Sequence, residues 1–125
     1  MGNTPDQQVN EMADALVRAL NHLQYAATLL PVPIKLAPVV PGMAAEEIAE
    51  SIKQFRKLLE EEPVTEDIKY HYDEAALNIL AALDITRIAV NEIIDWRYDG
   101  VHMVCTNSIN ASTLGAVVIQ KPYKG

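Results

Sequence analysis

Apolar residues recur along this chain in three rhythms, and the densest run lies between Thr65 and Tyr98. Over 75–96 the apolar positions Ala75, Ala76, Leu77, Ile79, Leu80, Ala82, Leu83, Ile85, Ile88, Ala89, Val90, Ile93, Ile94 and Trp96 leave only a narrow polar stripe. A helix that is apolar nearly all round must be covered on several sides. The pattern therefore predicts one long central helix over 65–98, roughly 50 Å at 1.5 Å per residue. Thr65 stands where a cap belongs, and Asp99-Gly100 supplies a stop.

Upstream the rhythm is that of amphipathic helices. Val9, Met12, Leu16, Leu20, Leu23, Ala27 and Leu30 recur at three- and four-residue steps, which predicts a helix over 5–30 opened by Thr4-Pro5-Asp6-Gln7. Ile48, Ile52, Phe55 and Leu59 form the seam of a second helix over 44–61, closed by Pro63. Between them, residues 31–42 read PVPIKLAPVVPG. Four prolines forbid a helix there, yet the segment is too apolar for a free linker, so it is expected to strap across the helices in extended form.

After Gly100 the rhythm changes again. Val101–Thr106 and Thr113–Gln120 are rich in Val, Ile and Thr and flank the polar stretch 107–112, which predicts a β-hairpin over 101–120. The expected architecture is mainly α: a three-helix bundle with a long central third helix, a Pro-rich connector and a C-terminal β-hairpin. Its 125 residues make one domain. Two narrow helices, a strap and an isolated ribbon cover so apolar a helix poorly, which implies a homo-oligomer.

Charge sharpens the expectation about partners. The net charge is −7, and seven acids lie between Glu60 and Glu74 with one base, Lys69. Glu60, Glu61, Glu62, Glu66, Asp67, Asp73 and Glu74 are therefore a candidate partner-binding patch for a basic protein surface. Such a field repels phosphate backbones, so no direct nucleic-acid binding is expected. No apolar run reaches the roughly 18–20 residues of a membrane span, and the first residues lack a basic and an apolar leader region. A cytoplasmic protein with no membrane partner is expected. The single cysteine, Cys105, fits a reducing compartment. Tyr70, Tyr72, Trp96 and Tyr98 flank the ends of the long apolar run, where aromatic rings suit interface anchoring or ordinary helix-end packing.

Two acidic pairs suggest a cation. Glu47 with Glu50, and Glu92 with Asp95, each stand one helical turn apart and would chelate Mg²⁺ if their helices faced each other. Glu46-Glu47-Ile48-Ala49-Glu50 followed by Glu92-Ile93-Ile94-Asp95 resembles the Glu-Glu-x-x-Glu then Glu-x-x-Asp pattern of all-α nucleotide pyrophosphohydrolases of the MazG type. The resemblance implies Mg²⁺-dependent hydrolysis with Glu47, Glu50, Glu92 and Asp95 as ligands. It covers those positions alone, and the 41 residues between Glu50 and Glu92 exceed the family's usual gap. Outside that reading no cofactor and no catalytic residue is expected. The leading expectation is a non-enzymatic acidic assembly or protein-interaction module that self-associates. The pyrophosphohydrolase and an acidic decoy for a nucleic-acid-binding protein are the alternatives.

Overall fold

The computed structural model describes residues 5–40, 43–87 and 94–121. They form four helices: α1 Pro5–Thr28, α2 Ala45–Glu60, α3 Glu66–Arg87 and α4 Ile94–Gln120, with no strand among the described residues.

The expected hairpin over 101–120 is instead the greater part of α4. Its buried positions explain why. Val101, Cys105, Ser108, Ala111, Ser112 and Ala116 recur at three- and four-residue steps and are covered. Serine counts as a turn former in a sequence pattern, but here Ser108 and Ser112 are the small inward positions of a helix. The Val, Ile and Thr content carries only a context-dependent strand preference, which packing overrides.

The single long helix over 65–98 is also corrected. α3 is continuous from Glu66 to Arg87, and α4 then runs back along it. Gly100 lies beside Ile85, the Ser108 hydroxyl donates to the Ala75 carbonyl at 2.8 Å, and Gly115 lies against Tyr72. The chain therefore reverses between Arg87 and Ile94. Of the apolar run over 75–96, the part up to Arg87 belongs to α3 and the part from Ile94 to α4, and 88–93 lie outside the described residues.

α3 remains the central element, packing against α1, α2 and α4. Its buried Tyr72, Ala75, Ala76, Ile79, Ala82 and Leu83 account for an apolar pattern that has no single face. The Tyr72 hydroxyl donates to the Ala26 carbonyl at 2.6 Å, tying α3 to the last turn of α1, where helix carbonyls lack intrahelical partners. Burial, then the nearby Glu62 carboxylate, pushes the Tyr72 phenol up to about 12.

α1 and α2 do not pack directly on each other. Residues 31–40 lie between them, antiparallel to α1. Ile34 and Leu36 point into the core while Pro33, Lys35 and Ala37 stay exposed, the two-residue alternation of extended chain. Gln24 holds the strap with both ends of its carboxamide. It donates to the Ile34 carbonyl at 3.2 Å and accepts from the Leu36 amide at 2.7 Å. The Ala37 amide donates to Ser51 Oγ on α2 at 3.1 Å. The Leu36 and Ala37 amides are thus satisfied by side chains from the two neighbouring helices, and the Ile34 amide by the Ala27 carbonyl of α1 at 3.4 Å.

Candidate interaction surfaces

The acidic window forms the turn between α2 and α3, but its seven acids do not act alike. Glu60, Glu61, Glu66 and Asp67 are exposed. Glu62 is not: it is 5% exposed and its carboxylate accepts the Val32 amide at 3.1 Å, fastening the start of the strap. Asp73 is held by Arg56 on α2, with N–O distances of 2.6 and 3.3 Å. That contact, set against partial desolvation, holds the guanidinium above its ordinary value. Glu74 is half-buried. The outward acidic surface is therefore the four carboxylates Glu60, Glu61, Glu66 and Asp67, with exposed Tyr70 beside Glu60 and Glu66.

Acids at the C-terminal end of α2 oppose its dipole. The fold answers this with Lys69 of α3, whose ammonium donates to the Glu60 carbonyl at 2.9 Å and lies 3.9 Å from Glu66. At the other helix end the arrangement is favourable without help, since Glu66 and Asp67 occupy the first turn of α3. The Thr65 hydroxyl donates to the Asp67 carboxylate and, ahead of the backbone contacts, lowers that carboxylate's pKa.

The two acidic pairs of the Mg²⁺ reading sit on different elements. Glu47 and Glu50 are on the exposed face of α2, beside a groove of about 690 Å³ shared with the strap. Asp95 is in the first turn of α4, and Glu92 lies outside the described residues. Both α2 and α4 run antiparallel to α3, so Glu47 and Asp95 belong to the same end of the bundle, but among the described residues α2 and α4 make no contact. Among the described residues no three acidic, histidine or cysteine side chains converge as a metal site.

Near the start of α4, the Tyr98 hydroxyl donates to the Glu11 carboxylate across to α1, which raises the Tyr98 phenol's pKa. The His102 ring leans on Tyr98 with centroids 4.5 Å apart. Tyr98 thus serves the α1–α4 contact. The side chain of Trp96 lies outside the described residues. Cys105 is buried, and burial pushes its thiol up to about 11, which leaves it protonated and unreactive at neutral pH.

The least expected surface belongs to α4 itself. From Gly100 to Gln120, 21 residues, there is no Asp, Glu, Lys or Arg. The outward positions are Met103, Thr106, Asn107, Asn110, Thr113, Leu114, Val117 and Gln120. Met103 is 62% exposed, Leu114 51% and Val117 50%, and Tyr25 of α1, 58% exposed, flanks Val117 across a groove of about 550 Å³. The strand reading concealed this face, because alternation distributes the same residues over two sides. Its sequence signal is the missing charge in a chain that is otherwise acidic.

A second apolar groove, about 510 Å³, lies between α1 and the strap, with Val17, Leu20, Leu36 and Val39 on its walls. No described helix is long and apolar enough to cross a membrane. Comparison with protein-family models, curated proteins and solved structures returns no match.

Proposed function

We propose that this chain is a protein-interaction module that assembles with copies of itself and does no chemistry of its own. The observation that carries the reading is the α4 face, where Met103, Leu114 and Val117 stand in solvent with no charged residue among them. Surface apolar residues scattered singly need no explanation, whereas Leu114 and Val117, three residues apart on one face with exposed Tyr25 across the groove, form a cluster of the kind that marks a contact surface. Removing such a face from water costs little, because no ionised group must be desolvated.

The acidic end supplies a second, separate surface. Glu60, Glu61, Glu66 and Asp67 project around exposed Tyr70 and suit a basic partner, with association weakened by salt. Charge reversal tests it cleanly at the exposed positions only. The double variant Glu60→Lys with Glu61→Lys lowers capture by immobilised polylysine and leaves the fold and the self-association intact. Undiminished capture removes the acidic surface from the account, and sedimentation of the unmodified chain tests the self-association.

A further inference from the structure

We propose that two copies pair through the outward face of α4, antiparallel and related by a two-fold axis at Asn110; this rests on the self-association reading above. The exposed positions of the face from Met103 to Val117 are symmetric about that residue, although the side chains at mirror positions differ. At 100° per residue, Asp99, Met103 and Val117 fall within about 20° of the line through Asn110, and Lys121 directly follows Gln120, the last residue of the helix. All four, with Asn110, are exposed.

The positions pair by distance from Asn110. Met103 and Val117 are each seven residues away, Thr106 and Leu114 four, Asn107 and Thr113 three. In an antiparallel two-fold pair each residue meets its counterpart on the other side of the centre. Met103 of one copy then meets Val117 of the other, twice. The two Asn110 carboxamides meet each other on the axis, where each has a donor and an acceptor to offer.

Charge decides the direction. Asp99 and Lys121 bound the uncharged stretch, and both lie eleven residues from Asn110. Antiparallel pairing places Asp99 against Lys121 at both ends. Parallel pairing would place Asp99 on Asp99 and Lys121 on Lys121. The acidic turn between α2 and α3 adds to the preference, since it lies at the end of the bundle where α4 finishes. Antiparallel pairing sends the two acidic ends to opposite poles, whereas parallel pairing would set them side by side. A shallow crossing, about 20°, keeps the helix ends within reach of each other. One helix pair buries less than the roughly 800 Å² per partner of a standard interface, so the dimer is weak, in the micromolar range or above.

The unmodified chain and three charge variants test the pairing by sedimentation equilibrium at low ionic strength, and two cysteine variants test it by cross-linking. Asp99→Lys alone and Lys121→Glu alone each weaken dimerisation by about tenfold, having turned two attractions into two repulsions. The double exchange returns it to within about threefold of the unmodified protein. Under mild oxidation Asn110→Cys forms a disulfide-linked dimer and Met103→Cys does not, because the two copies of position 103 stand about 21 Å apart along the axis. A dimer indifferent to both reversals, with no cross-link at Asn110→Cys, overturns the pairing and leaves self-association standing. A chain that stays monomeric at hundreds of micromolar overturns both.

Discussion

A methyl group at Gly115 would stand 2.9 Å from Cε1 of Tyr72 and 3.0 Å from its Cδ1. Glycine therefore lets α4 approach the Tyr72 ring, which is buried on α3. Gly115→Ala should lower the urea midpoint. An unconstrained helix position gains about 1 kcal/mol from this substitution. Here overpacking of a ring that cannot withdraw costs about 1–3 kcal/mol and outweighs the gain. A raised midpoint would show that the two helices have room to spare.

Two serines on the same helix should respond oppositely to alanine. Ser108 Oγ donates to the Ala75 carbonyl, so Ser108→Ala loses a bond worth about 0.5–1.5 kcal/mol. Ser112 is 1% exposed and its hydroxyl has no hydrogen-bond partner. Ser112→Ala relieves a buried orphan and should be neutral or stabilising. Parallel urea titrations of the two variants check the contrast.

Alkaline pH should unfold the protein in two overlapping stages. Burial raises the Cys105 thiol from 9.0 to about 11 and the Tyr72 phenol from 10.0 to about 12. In each case the unfolded chain releases its proton first, so stability is complete below the unfolded value and falls as pH rises to the folded one. The loss therefore begins near pH 9 with Cys105 and continues to about pH 12 with Tyr72. Tyr72→Phe should reduce the upper part of the decline, to which the raised Tyr98 phenol also contributes, and leave the lower part, read as thermal midpoint against pH.

Neighbouring acids at the α2–α3 turn should differ sharply. Glu62→Ala removes a charge-assisted hydrogen bond from the Val32 amide and loosens the strap, a cost of about 1.5–3 kcal/mol. Glu61→Ala, at an exposed position, should stay within about 0.5 kcal/mol of the unmodified protein. Equal effects would remove the carboxylate–strap bond from the account.

The helical class and the central place of α3 were legible because Ile48, Ile52, Phe55 and Leu59, or Leu20, Leu23 and Ala27, are large apolar residues at helical spacing. α4 was not legible because its inward residues are small. Cys105, Ser108, Ser112, Gly115 and Ala116 carry little hydrophobic signal, yet small residues are what a close helix approach requires. The reversal between Arg87 and Ile94 was hidden by apolar residues on both sides of it. Charge counting found the acidic end but not that Glu62 turns inward, since burial depends on the amide of Val32, thirty positions away. The α4 face could have been found from its 21 uncharged residues alone, once they were read as a helix.

Sedimentation equilibrium of the full chain, from micromolar to several hundred micromolar, tests the central claim most directly. The account predicts a mass that rises with concentration from the 13.8 kDa of one chain towards twice that value. A mass fixed at 13.8 kDa across the whole range would contradict it.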